Sequence, residues 1–235
     1  PKMYTNTENY DNNLLDLPFS PTSANEKDLN ISNVGKMFSE TNETTVIEKI
    51  KVWQIHNKYL LTEISSGLVI IDQHVAHERI LYESAKVSLD GKGMNSQKIM
   101  FPVTIEYEPE EYQHLVEIIP YLHKIGFDLR QFGLSSIIIE GTPPELSIGN
   151  EKVIINDILD NYIENKKLNS SFIDYIAATY ACKAAIKAGD KLDESECVNL
   201  INKLFSTKHP YYCPHGRPII INLTISDLDK RFERH

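Results

Sequence analysis

The chain is poor in cysteine, in positive charge and in long apolar runs. Three cysteines, Cys182, Cys197 and Cys213, occur in 235 residues. An odd number spread so widely does not build a disulfide framework, so thiols that bind metal or sit buried are expected. No apolar run approaches the ~20 residues of a membrane-spanning helix. The opening PKMYTNTENYDNN lacks the basic and apolar regions of a signal peptide. A cytoplasmic location without membrane contact is the expectation, under which the sequons at Asn30, Asn42, Asn169 and Asn222 are chance matches. A start at Pro1 without methionine predicts a fragment of a larger protein. Lys and Arg number 24 against 33 Asp and Glu, a net charge of -9. That deficit argues against a free-standing nucleic-acid binder, because phosphate contacts come from a basic surplus. If DNA is the substrate, something else must help hold it.

What is present suits a soluble globular chain: 41% hydrophobic and 24% charged residues, enough for one or two compact units. Residues 1–45, rich in Asn, Thr, Ser, Asp and Glu without apolar periodicity, read as a linker, with LLDLPF (14–19) as a short apolar island. Order is expected from Val46. Two or three strands follow, with turns at His56-Asn57-Lys58 and Ser65-Ser66-Gly67. Leu68 to Ile71 is a β-branched apolar run expected to be buried on both faces. After His74 the spacing of Ile80, Leu81, Ala85 and Val87 becomes helical. Residues 89 to about 150 contain a Gly-rich turn (DGKGMN), a strand MFPVTIEY, a helix from Pro109 to Ile125 and strands FDLRQF and SSIIIEG, a βαββ block that reads as an inserted subdomain. Helices are predicted within 151–166 and 170–188, and over 193–205 with an Asp193/Glu196 capping box. A Pro-containing loop, the strand IIINLTI and a short helix to His235 close the chain. The fold class is α+β (mixed α/β), in two subdomains.

Chemistry concentrates where the strand meets the helix, in IIDQHVAHERILYE (70–83). His74 and Glu78 at i, i+4 share a helix face and can share an ion. Asp72 stands at the helix entrance, where a carboxylate also suits the N-terminal dipole. The bland alternative is Asp72 as a cap, Glu78 and Arg79 as a solvated face and His74 as a satisfied histidine. Further along, Cys213 and His215 flank Pro214 in CPHG, so a thiolate and an imidazole can converge from one loop, a zinc-like pair. Cys182 in ATYACKAAIKAGD offers a third soft ligand on a helix, with core packing as its alternative. Three ligand-rich segments in one domain point to a mixed Asp/His/Glu/Cys metal site.

These motifs carry a resemblance. DQHVAHERILYE resembles the DQHA(X)2E(X)4E endonuclease motif of the MutL family of DNA mismatch repair proteins, with Asp72, Gln73, His74, Glu78 and Glu83 in register. ACK (181–183) is similar to that family's ACR, CPHGRP (213–218) to its C(P)HGRP, and FER (232–234) to its terminal FxR. Val75 replaces Ala and Lys183 replaces Arg, the latter keeping charge but not bidentate geometry. The resemblance covers residues 46–235.

It implies the C-terminal, DNA-nicking domain of a bacterial member of the family. Asp72 and Glu78 would be catalytic. His74, Glu78, Cys182, Cys213 and His215 would hold one or two ions, zinc as a structural or regulatory occupant and manganese as activator. Arg217 is a phosphate contact or a fork to a carboxylate. ATP would act only through an N-terminal domain absent from this chain. A homodimer is implied, formed by residues 46–88 with 170–235, and a regulatory subdomain at 89–169. In the latter, Gln97, Ile99, Met100, Phe101 and Pro102 resemble a peptide that binds the polymerase sliding clamp, whose encirclement of DNA would offset the domain's acidity. Other implied partners are duplex DNA, bound weakly alone, and the mismatch-recognition protein MutS through the full-length protein, at the nucleoid during repair. A non-catalytic dimerisation scaffold with structural zinc is the alternative.

Overall fold

The computed structural model describes residues 51–147, 149–165 and 170–234. The expected linker 1–45, with its LLDLPF island, and the expected start of order at 46–50 lie outside the described residues.

Three strands form a meander: β1 (Val52–Ile55), β2 (Tyr59–Ile64) and β3 (Gly67–Asp72). The predicted turn at His56 and Asn57 has both residues at left-handed φ, 50° and 52°, closed by a Lys58 N–H to Ile55 C=O bond of 3.0 Å. The fourth strand, β7 (Ile220–Thr224), arrives from the far end of the chain and pairs antiparallel with β3, giving the order β1-β2-β3-β7. Gly67 permits this closeness, since a Cβ there would lie 2.2 Å from the Leu223 carbonyl oxygen.

Alternation divides the sheet into two faces. Leu60, Thr62, Ile64, Val69 and Ile71 point inward and are buried. The opposite face carries Trp53, Leu61, Ile70 and Ile221 in one cross-strand row. Leu68 and Ile70 are only half-buried, so β3 is not covered on both faces as its apolar run predicted. The run is apolar on both sides, yet among the described residues only one side meets a core.

Helix α1 (Gln73–Asp90) starts directly after Asp72, one residue before the predicted start. It packs on α4 (Ser170–Ala184) and α5 (Glu194–Phe205). The predicted Asp193/Glu196 capping box is formed. Between α1 and α4 lies the predicted βαββ block and a further helix: β4 (Gln97–Glu106), α2 (Pro109–Lys124), β5 (Asp128–Phe132), β6 (Ser136–Thr142) and α3 (Glu151–Asn165). Its sheet has the order β4-β6-β5. In α2, Pro120 works against the helix by about 3 kcal/mol. Leu115, Ile118 and Leu122 are fully buried on one stripe, each stabilising by about 1.5–3 kcal/mol, which outweighs the proline. One buried cluster runs from Leu81 and Leu89 of α1 through Ile137 and Ile139 of β6 to Ile176 and Tyr180 of α4. The final helix α6 (Ile225–Arg231) opens with a Thr224/Asp227 capping box and stops short of the predicted His235. The fold is α+β, with antiparallel sheets and packed helices.

Candidate metal centre

The strand-to-helix junction is bolted from three directions. Asp72 N–H donates to the Ile219 carbonyl at 3.0 Å and Gln73 N–H to that of Lys58 at 2.9 Å. Asp72 Oδ1 accepts the Val75 N–H at 3.0 Å, capping α1. The bland reading of Asp72 as a cap is met, by one carboxylate oxygen. Gln73 is buried, accepts from Gln54 Nε2 at 2.6 Å and donates to the Asp190 carbonyl at 3.0 Å. It ties the β1–β2 hairpin and the 186–192 loop to the start of the helix.

Three predicted ligands converge. Glu78, Cys213 and His215 place one ligand atom each within 4.8 Å of one another. His215 Nδ1 lies 3.4 Å from Glu78 Oε1. The loop geometry explains how residues 213 and 215 meet one helix. Cys213 N–H donates to the Arg217 carbonyl and Gly216 N–H to that of Cys213, both at 2.9 Å, while Gly216 adopts a φ of 81° that favours glycine. The reversal folds His215 back beside Cys213, and Arg217 N–H donates to Cys213 Sγ at 3.3 Å.

The donor set fits a divalent cation. Glu78 is 7% exposed and Cys213 4%. A carboxylate, a thiol and an imidazole brought together with so little water around two of them form a compact set of donors for a cation. Mixed O, N and S donors suit zinc above calcium or magnesium. The exposed His215 leaves the cluster open on one side.

His74 and Cys182 stand outside that three-residue group. His74 Nδ1 donates to the Ile186 carbonyl at 2.7 Å. Cys182 is exposed on α4, so core packing does not describe it; the buried thiols are Cys213 and, on α5, Cys197, whose pKa burial raises. Lys183 reaches Asp157 of α3 at 3.3 Å. Arg217 is exposed beside the cluster.

Two residues escaped the sequence reading. His77 accepts the Ile186 N–H at 2.9 Å, and burial lowers its pKa to about 4, so it is neutral at pH 7. Its spacing from His74 was visible, but its partner was not. Glu83 belonged to the motif without a role; its oxygens accept the backbone N–H groups of Lys208 and His209 at 2.7 and 3.2 Å.

The clamp-like peptide lies in β4. The pairing of β4 with β6 jumps between Lys98, opposite Gly141, and Val103, opposite Ile139, so the intervening residues bulge from an edge strand. Met100 is 87% and Phe101 79% exposed, while Ile99 packs on the core. Gln97 and Pro102 are exposed as well.

Residues 52–192 match the family model of the MutL C terminal dimerisation domain, a span that ends before Cys213. The chain is 46% identical over 188 residues to a protein of Chlorobium luteolum, 48% over 185 to one of Pelodictyon phaeoclathratiforme and 45% over 196 to one of Chlorobaculum parvum, each named DNA mismatch repair protein MutL. These alignments cover 80%, 78% and 83% of this chain and 30%, 30% and 31% of those proteins. The chain thus spans about a third of the length of the curated relatives it matches. No helix among the described residues is long and apolar enough to cross a membrane.

Proposed function

Because this chain belongs to the MutL C-terminal dimerisation domain family of DNA mismatch repair proteins, we propose that it is a metal-dependent DNA endonuclease domain that also dimerises and binds a sliding clamp. The observation that carries the enzymatic reading is the meeting of Glu78, Cys213 and His215 at the helix that Asp72 opens.

Glu78, Cys213 and His215 would hold the cation, zinc in a structural or regulatory role and manganese as activator. His74 would join them only through Nε2, since its Nδ1 is committed to the Ile186 carbonyl, which leaves Nε2 as the lone-pair nitrogen. Cys182 would contribute a soft ligand to a second site from its exposed position on α4. A bound divalent ion lowers the pKa of a water and offsets charge on the phosphoryl oxygens. Asp72, with one oxygen in the cap and its side chain half-buried, would orient the attacking water and take its proton. Glu78 would be catalytic through the ion it holds. Arg217, exposed at the rim, is suited to a phosphate oxygen.

Dimerisation would use the outer sheet face. Trp53 is 48% and Ile221 57% exposed in one apolar row, a patch that an isologous partner would cover. In this reading the discontinuous segments 46–88 and 170–235 form the dimerisation and metal subdomain, and 89–169 the regulatory one. Clamp binding through Gln97, Ile99, Met100, Phe101 and Pro102 would bring an acidic, cytoplasmic domain onto duplex DNA. MutS and ATP would act through the rest of a full-length protein. The cap made by Asp72 favours a second reading, a non-catalytic scaffold with structural zinc.

Nicking of supercoiled plasmid with manganese and the cognate clamp separates the two. Wild-type activity lost in Asp72→Asn, with dimerisation intact, is expected; equal backgrounds in both support the scaffold.

A further inference from the structure

Glu83 sits five residues after Glu78 on α1, yet it is not in the ligand group. Its carboxylate has four donors. Arg79 Nε and Nη2 approach Oε1 at 3.0 and 2.8 Å. Lys208 N–H donates to Oε2 at 2.7 Å and His209 N–H to Oε1 at 3.2 Å. Arg79 is itself buried and stacks over Tyr82, so the carboxylate has little freedom to turn.

Lys208 and His209 lie between the end of α5 and Cys213. Downstream, Ile219 N–H meets the Tyr211 carbonyl and Asp72 N–H meets that of Ile219, just before β7 pairs with β3. The loop that delivers Cys213 and His215 is therefore fixed at one end by the sheet and at the other by Glu83. Glu78 and Glu83 share one rigid helix. The distance from Glu78 to Cys213 is set by how the loop is latched to that helix.

We infer that Glu83 is a positioning residue that latches the 208–213 loop to α1 and so sets the spacing of Glu78, Cys213 and His215, being neither a metal ligand nor a proton acceptor. Its consequence for metal rests on the metal-site reading above. The latch itself does not.

The test compares wild type, Glu83→Gln and Glu83→Asp in two measurements. In metal-free protein, alkylation of each cysteine is followed by mass spectrometry. Glu83→Gln is expected to speed modification of Cys213 about tenfold, the scale of a lost charge-assisted hydrogen bond, with buried Cys197 unchanged. An unchanged Cys213 rate, or equal acceleration at Cys197, overturns the latch whether or not any metal binds. In cobalt(II) titrations, Glu83→Gln is expected to weaken binding by about 10–100-fold, as outer-shell changes do, while retaining the thiolate-to-cobalt absorption band, with partial rescue in Glu83→Asp. Loss of that band in Glu83→Gln, matching Glu78→Gln, makes Glu83 a ligand and overturns the inference. No band in wild type refutes the metal-site reading and leaves alkylation to decide the latch.

Discussion

His74 and His77 hold the two ends of one residue with opposite polarity. His74 Nδ1 donates to the Ile186 carbonyl and His77 Nδ1 accepts the Ile186 N–H. One turn of α1 thereby fixes two different tautomers and pins the loop that follows α4. A charged His77 could not accept that N–H, so neutrality of this ring is a condition of the clasp.

Stability of the metal-free protein should reflect that condition. The pKa of His77 falls from 6.5 to about 4 on folding, so at neutral pH and above the ring is uncharged in both states and the stability is fully present. As pH falls from 6.5 toward 4 the unfolded chain takes up a proton that the folded one refuses, and up to about 3 kcal/mol is lost. Urea unfolding across this range should show the loss, and His77→Asn should flatten that part of the profile.

Asp72→Asn should separate cap from chemistry. Asn caps helices about as well as Asp, so unfolding free energy should change by less than about 0.5 kcal/mol, whereas Asp72→Ala should cost about 1 kcal/mol. Nicking should vanish in both. Retained nicking in Asp72→Asn would remove Asp72 from the reaction.

Zinc should stabilise the folded chain through Cys213. At a free concentration of 100 times Kd the gain is about 2.7 kcal/mol, read as a rise in Tm that chelation reverses. Cys213→Ser should abolish most of it, while Cys197→Ser should leave the zinc response intact.

Ile221→Glu should give a monomer by sedimentation. The residue is 57% exposed on the outer sheet face, so the fold of each protomer should survive, with its unfolding free energy changed by about 0.5 kcal/mol or less. A dimer that persists would place the interface elsewhere.

Met100→Ala should weaken clamp binding by more than about 2 kcal/mol if its side chain fills a pocket. Because Met100 is 87% exposed, Tm should not move. Calorimetric titration with the clamp would show either outcome.

Local chemistry was legible in the sequence. Apolar alternation and turn residues gave the β1–β2–β3 meander, and the Asp193/Glu196 box marked α5, because caps and turns depend on side chains within a few residues. The candidate ligand types were legible too, since Asp72, His74 and Glu78 share one helix start and Cys213 and His215 share one loop. Tertiary structure alone decided that β7 joins β3 and carries the CPHG loop to α1. It also decided that Glu78 rather than His74 faces Cys213 and His215, that Cys182 is exposed, and that His77 and Glu83 serve backbone groups more than a hundred residues away. Spacing along a chain sets which side chains share a face, whereas contacts across such separations depend on how whole elements pack, and no local pattern encodes that.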